Sequence, residues 1–332
     1  MKGLKIQLKT ILASALLILG AASPVFSQSQ QFTLKDLTGT MDVFSEKLAK
    51  SLPFNASMGL NWADAYIGSF PHFGVGISGG FTTMQDDSLG NVMDMFVPGL
   101  SDNLLSLAGF PMPGLMIEGR IGGIKFFDVG VKVGYLPTKP KQFDKMTYFL
   151  IGGDVRFALL KEKLVTPDLS LGVGYNYMRG SIGKNIGSEI KIDYQDASNV
   201  TQTITLSPPE LGINWSTSVI DLKAQISKTF AIVTPYLGVG GSYGMSKAGY
   251  SLDTKIDAAD IAAAKEIFKA AGIDITDGLS SETPIDGWSF RTYGGLSLNL
   301  LILRLDLTGL YNFLDNNWGL TLGIRLEISG KK

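Results

Sequence analysis

Trp318-Gly-Leu-Thr-Leu-Gly-Ile-Arg-Leu-Glu-Ile328 is the stretch whose reading decides the fold. Leu320, Leu322, Ile324, Leu326 and Ile328 hold one parity, while Gly319, Thr321, Gly323, Arg325 and Glu327 hold the other. A strand points successive side chains to opposite faces, so it alone sorts such a run into an apolar face and a polar one. The preceding stretch sorts in the same way. Leu303, Leu305, Leu307, Gly309, Tyr311 and Phe313 alternate with Arg304, Asp306, Thr308 and Asn312.

Followed towards the N-terminus, the alternation predicts about ten strands: 72–83, 114–126, 128–136, 145–158, 168–179, 215–228, 231–246, 287–300, 302–313 and 317–328. Segment 57–67 reads as a link or as an extra strand; a count of twelve is the alternative, and parity favours the link. Connections near 127, 160–166, 229–230 and 301 are short, whereas those at 84–113, 180–214 and 247–286 are long, with shorter ones at 137–144 and 314–316 on the same rim. Short turns on one rim, long loops on the other and an even strand count are the layout of a transmembrane antiparallel up-and-down β-barrel. In the apolar phase, Tyr135, Tyr175, Tyr177, Tyr243, Trp288, Phe290, Tyr311, Phe313 and Trp318 fall near the long-loop ends, and Phe126, Phe157 and Phe230 near the short turns. Two aromatic girdles are expected where headgroups meet hydrocarbon.

The opposite phase carries Glu118, Arg120, Lys132, Asp154, Arg156, Asp221, Lys223, Arg291, Arg304, Asp306, Arg325 and Glu327. A Lys or Arg facing lipid at mid-depth costs about 2–4 kcal/mol, so these residues are expected to face the lumen. Asp154/Arg156, Asp221/Lys223, Arg304/Asp306 and Arg325/Glu327 are two residues apart, hence on one face of one strand. Their simplest role is neutralisation across neighbouring strands; a polar track for a permeating solute is the functional alternative. Ten strands are too few for a wide aqueous pore.

At the N-terminus, Lys2, Lys5 and Lys9 precede an apolar run from Ile11 to Leu19, and Val25-Phe-Ser27 supplies a small residue for cleavage. This is the layout of a secretory signal peptide over 1–27, too short in its apolar part for a membrane anchor. Residues 28–71 form an N-terminal helix and linker, and 72–329 the barrel. Within 33–52, Leu34, Leu37, Met41, Phe44, Leu48 and Leu52 recur at three- and four-residue spacing, Thr33 and Asp36 make a capping box, and Pro53 should end the helix. Such an amphipathic helix packs against the barrel mouth, or else plugs the lumen. A second helix is expected at 257–271, inside a long loop.

The leader, the alternation of long loops with short turns, and the closing strand WGLTLGIRLEI resemble integral outer-membrane β-barrel proteins of diderm (Gram-negative-type) bacteria over residues 70–328. The resemblance implies the outer membrane as location, its lipids as surroundings, and an assembly machinery that inserts the barrel. The chain departs from it at the end, where Ile328 is followed by Ser-Gly-Lys-Lys rather than by a terminal aromatic.

Composition narrows the chemistry. With 29 Lys+Arg against 30 Asp+Glu over 332 residues and no basic run, no nucleic-acid partner is expected. No cysteine and one histidine leave no thiol nucleophile, no disulfide and no multi-histidine metal site. Gly74-Val-Gly76-Ile-Ser-Gly79 matches the dinucleotide fingerprint by letter, yet it lies inside a strand instead of at a strand-to-helix turn. His72 reads as a rim residue. No catalytic residues, cofactor or metal are therefore expected, and the chain reads as non-enzymatic. The loop at 84–113 is rich in large apolar residues, Met93, Met95, Phe96, Leu100, Leu104, Leu105 and Phe110 among them. Exposed apolar patches mark binding or burial, and Met suits irregular ligands. The reading is a narrow conduit or binding site for a small, partly hydrophobic molecule. The alternative is an adhesion or structural barrel binding a protein through its long loops, of which 189–206 holds a polar, hairpin-like stretch.

Overall fold

Phe73 lies opposite Ile328, and Phe81 opposite Leu320. The first barrel strand, β1 (His72–Met84), is thus hydrogen-bonded to the last, β12 (Trp318–Ser329), and the sheet has no free edge. The computed structural model describes residues 34–63, 65–67, 72–85, 109–124, 126–136, 144–185, 188–195, 201–208, 210–253 and 279–329. Between β1 and β12 run β2 (Phe110–Ile124), β3 (Phe127–Tyr135), β4 (Lys145–Leu160), β5 (Asp168–Asn185), β6 (Ile190–Gln195), β7 (Thr201–Leu206), β8 (Glu210–Ser227), β9 (Val233–Asp253), β10 (Leu279–Leu300) and β11 (Leu303–Asn312). Among the described residues, strands β6 and β7 pair only with each other, within the β5–β8 connection. The other ten strands form a closed antiparallel up-and-down barrel.

The parity read from β12 separates outside from inside. Leu322 and Ile324 are 62% and 59% exposed, while Arg325 and Glu327 are 2% and 4% exposed. The same sorting runs around the ring, with Ile117, Ile121, Val131, Leu222 and Val239 facing outward and Glu118, Arg120, Lys132 and Lys223 buried. Aromatic side chains gather at two heights. Near the long-loop ends Phe81 meets Trp318, Tyr243 meets Trp288, and Tyr311 meets Phe313, each pair with centroids 5.3 Å apart. At the short-turn end Phe127 lies between Phe126 and Phe157, at 5.5 and 6.4 Å.

One helix is described, α1 (Leu34–Ala56), and it is not long and apolar enough to cross a membrane. It packs against β1, β5, β8, β9 and β10, its earlier turns at the long-loop mouth and its end inside the ring. Up to Lys50 the helix is two-faced, with Met41, Phe44 and Leu48 buried and Val43, Glu46 and Lys47 exposed. From Ser51 every side chain through Met58 is buried, because there the helix has entered the barrel. Its apolar side fills the long-loop half of the lumen against Met84, Met112, Met116, Tyr148, Leu150, Met178 and Ile213. Each large side chain buried there contributes about 1.5–3 kcal/mol before entropy is counted.

Pro53 does not end this helix, contrary to the expectation from sequence; helical turns continue to Ala56. Proline removes one amide donor and crowds the preceding turn. The barrel wall offsets part of that cost by making room for the ring, since a Cβ on Gly244 would lie 2.3 Å from Pro53 Cγ. Beyond the helix, Gly59 and Leu60 take left-handed conformations, φ +79° and +55°. The chain then passes down the lumen through Trp62, Ala63, Ala65 and Ile67, all buried, to the short-turn side where β1 begins. Segment 57–67 is thus the link, not an extra strand. The expected signal peptide, the capping box at Thr33 and the helix at 257–271 involve positions outside the described residues.

Asn55 donates to Thr82 Oγ1 at 2.8 Å and to the Met112 carbonyl at 3.1 Å, which ties the end of α1 to the wall. Because the chain has no cysteine, Asn55→Cys combined with Thr82→Cys should form a single disulfide on oxidation. Peptide mapping under non-reducing conditions would then join the α1 peptide to the β1 peptide; absence of that species would contradict the placement of the helix.

A plugged, charge-lined lumen as candidate functional site

The short-turn half of the lumen is as polar as the other half is apolar. Arg120, Lys132, Arg156, Lys223, Arg291 and Arg325 project into it together with Glu118, Asp128, Asp154, Asp221, Asp306 and Glu327. Buried charges are tolerated only when paired and hydrogen-bonded, and the wall supplies those pairings between strands. Arg120 Nη1 lies 2.6 Å from Asp128 and Nη2 2.7 Å from Asp154. Arg156 closes the same cluster with a second contact to Asp128 at 2.6 Å. Asp154 is shared with Lys223, also at 2.7 Å. On the opposite arc Arg291 grips both oxygens of Asp221, at 2.7 and 2.9 Å, with the Ser242 hydroxyl joining them. Arg325 bridges Asp306, at 2.8 Å, and Glu327.

The sequence placed these charges on one face of each strand but did not indicate their partners. Asp154 and Arg156, two residues apart, pair with different neighbours. Asp128, absent from the sequence-derived set, is the acceptor that holds Arg120 and Arg156 together. Its parity matches that of Lys132 on β3, a signal that was available. Arg304 lies at the short-turn end, where Nη1 donates to the Leu301 carbonyl at 3.2 Å.

Two wall lysines also reach the plug. Lys132 donates to the carbonyls of Ala56, at 2.8 Å, and Met58; Lys223 donates to that of Leu60 at 2.9 Å. The last carbonyls of a helix lack partners within it and carry the negative end of its dipole. Helix α1 has no basic residue in its own last turn, so the barrel provides the cations. Lower down, Gln225 donates to the carbonyls of Trp62 and Ala63 at 2.6 and 3.0 Å, and the Ala65 amide donates to Ser227 Oγ at 2.9 Å.

Trp62 is the centre of the plug. Its indole Nε1 donates to Glu118 at 2.6 Å, and its ring lies between the guanidinium groups of Arg325, 4.6 Å from the centroid, and Arg120, 5.6 Å. A cation over an indole face is favoured by the ring's quadrupole. Gly74 makes the room, since a Cβ there would come within 2.8 Å of the ring. The glycines that imitate a dinucleotide fingerprint therefore lie in a strand, and the first of them accommodates a tryptophan. Between plug and wall, a gap lined by Asn61, Trp62, Ser78, Glu118, Thr308 and Arg325 leaves about 20 Å³, space for one water and no solute.

Of the apolar-loop residues singled out in the sequence, Met93, Met95, Phe96, Leu100, Leu104 and Leu105 lie outside the described residues. Phe110 does not belong to the loop: it opens β2 and packs edge-on against Phe44 of α1, 6.5 Å between centroids. The ladder with Met84 extends further than the apolar alternation that announced it. His72, the first residue of β1 at the short-turn end, is buried beside Tyr66, at 5.8 Å.

The family described as "Family of unknown function (DUF6588)" matches residues 9–328. No curated protein matches. Among solved structures, the outer membrane protease OmpT of Escherichia coli aligns at 9% identity over 80% of this chain and 100% of its own, with a TM-score of 0.39. The translocator domain of the autotransporter NalP of Neisseria meningitidis aligns at 9% identity over 89% and 98%, TM-score 0.36. The transport unit of the autotransporter AIDA-I of Escherichia coli aligns at 12% identity over 86% and 98%, TM-score 0.33. These likenesses transfer no residue and no activity.

Removing Arg120 would leave Asp128 and Asp154 short of their shared cation. Arg120→Ala should lower stability by about 3–5 kcal/mol, the usual cost of breaking a buried pair. Lys50→Ala, which opens the half-exposed pair with Glu46, should cost far less, because water screens the pair. Urea unfolding of the folded barrel in detergent, followed by tryptophan fluorescence, compares the two; equal effects would contradict the network.

Proposed function

The chain belongs to the family of unknown function DUF6588, and within it we propose a plugged outer-membrane barrel whose lumen admits a small, partly hydrophobic molecule when the N-terminal segment is displaced. Three features support a membrane setting. The outward face is aliphatic around the ring, its two ends carry aromatic side chains, and the charged phase is enclosed. Trp318 and Ile328 are ten residues apart on β12. At ~3.3 Å per residue and a tilt of ~40°, this spans about 25 Å of height, the apolar band of an outer-membrane barrel. The proposal includes export through a cleaved signal peptide over residues 1–27 and places the long loops outside the cell.

One observation carries the gating part of the reading. Among the described residues the plug shares no strand ladder with the wall. The contacts described above between segment 55–65 and the wall all use a side chain on at least one partner. Withdrawing the segment therefore leaves every barrel ladder intact. It opens a methionine-rich vestibule above a charge-balanced passage, two environments in series that suit an amphipathic solute. Thioethers adapt to irregular apolar shapes, and paired charges of both signs repel neither anion nor cation strongly.

The Asn55→Cys/Thr82→Cys disulfide gives the test, because it locks the plug through side chains and leaves the strand ladders in place. Cells carrying the locked variant should lose uptake of hydrophobic solutes and regain it on reduction. Uptake indifferent to the lock would refute the conduit. Binding of a surface protein that depends on the β6–β7 hairpin would support the adhesion alternative.

In planar bilayers the intact chain should pass little current. Trp62→Ala, which removes the anchor between Arg120 and Arg325, should produce frequent transient openings. A wild-type barrel with large, steady currents would contradict the plug.

A further inference from the structure

The four short turns carry apolar side chains where a water-facing rim would carry polar ones. In the β4–β5 turn Leu164 and Val165 are 95% and 86% exposed, and in the β10–β11 turn Leu301 is 94% exposed. Phe126, Phe230 and Ile232 are also exposed at the β2–β3 and β8–β9 turns. Backbone conformation makes the pattern more pointed. The β8–β9 and β10–β11 turns are two-residue loops, Ala231-Ile232 and Leu301-Ile302, and the first residue of each is left-handed, φ +52° and +58°. Glycine or asparagine ordinarily takes that place. At Leu301 the turn accepts backbone strain and at the same time exposes a full aliphatic side chain.

These tips are held, not loose. Lys228 Nζ donates to the carbonyls of Lys163, Leu164 and Thr166, at 2.5, 3.2 and 3.2 Å, and lies 3.6 Å from Glu162. Glu162 also accepts from the Thr229 amide, and its own amide donates to the buried Asp168. Thus the acids of this turn are engaged within it, while Lys161 and Lys163 stand exposed beside Leu164. The aliphatic surface continues without a break onto the outer belt through Leu159, Leu160, Leu300 and Ile302.

We propose that the short-turn rim is a binding surface for anionic phospholipid, in which the turn tips enter the headgroup–acyl boundary and Lys161 and Lys163 meet phosphate. The inference rests on the membrane setting proposed above and is independent of the plug. Apolar side chains flanked by lysines are the chemistry of interfacial attachment to anionic lipid. Continuity with the lipid-facing belt and the basic excess at the β4–β5 turn favour lipid over a protein occupant.

The cysteine-free chain allows the test directly. Full-length variants Leu164→Cys, Leu301→Cys and, on the belt, Ile117→Cys are labelled with an environment-sensitive fluorophore. They are then inserted into vesicles of phosphatidylcholine alone or mixed with phosphatidylglycerol. The probes at 164 and 301 should shift to the blue in the mixed vesicles and be quenched by lipid-borne nitroxide, not by iodide. Lys161→Ser with Lys163→Ser should abolish the difference between the two lipids. Water-like, iodide-quenched emission at 164 and 301, with the Ile117 probe quenched by lipid, overturns the proposal and leaves the membrane setting standing. An Ile117 probe untouched by lipid quencher overturns both. Shielding that grows with protein concentration assigns the rim to a second copy of the chain and overturns the lipid assignment.

Discussion

The pairing of β1 with β12 is the constraint on which everything else depends. A closed sheet has an inside of limited width, and each strand must give one parity to it. With the aliphatic parity outside, Arg, Lys, Asp and Glu have no alternative but the lumen, where water is scarce and every charge needs a partner. Closure thus imposes the ion-pair network, and the network imposes the plug. Lys132, Lys223 and Gln225 reach inward and donate further hydrogen bonds to the backbone carbonyls of segment 56–63.

The division of the lumen into two halves follows from the same economy of space. Where the helix is wide, facing wall positions are Met, Leu, Ile and Tyr, which pack on its apolar stripe. Where the helix gives way to a single irregular segment, the wall has room for long charged side chains. Gly74 and Gly244 mark two close approaches of plug and wall, one beneath Trp62 and one against Pro53. Shape and polarity therefore change together along the axis. Such a graded interior is a sounder guide to what could pass than any single residue in it.

Much of this architecture was legible in the sequence, for a definite reason. Period-two sorting is imposed by the outer belt, so strand existence, parity and the two girdles could be read from residues such as Leu320 to Ile328. Strand ends on the long-loop side could not. The ladders of β8, β9 and β10 run to Glu210, Asp253 and Leu279, well past 215, 246 and 287, because beyond the belt the phase inverts: the inner parity, with Leu211, Ile213, Ala248 and Tyr250, is apolar against α1 and the outer parity is polar. Partners within the lumen were equally hidden. In-strand spacing indicates which face a charge takes, whereas Arg120 reaching Asp128 and Asp154 depends on register between strands. Trp62 was the largest omission: it lies in neither a helix nor a strand, so no periodicity marks it. Pro53 misled because its penalty was judged from the helix alone, without the wall that receives its ring.

The way the plug is joined to the ring has a kinetic consequence. The segment that fills the lumen runs directly into β1, and β1 is one of the two strands that meet at the seam. Once β1 and β12 zip together, a helix with a bulky apolar stripe would have to thread a ring of ten strands to reach its seat, while before zipping it has only to fold over an open, curved sheet. The chain topology therefore favours an order of events in which filling precedes closure, and the helix acts as a form against which the sheet curls. Its methionine-rich contacts can be made and adjusted before register is locked. A barrel built in this order carries the record of its own assembly inside it.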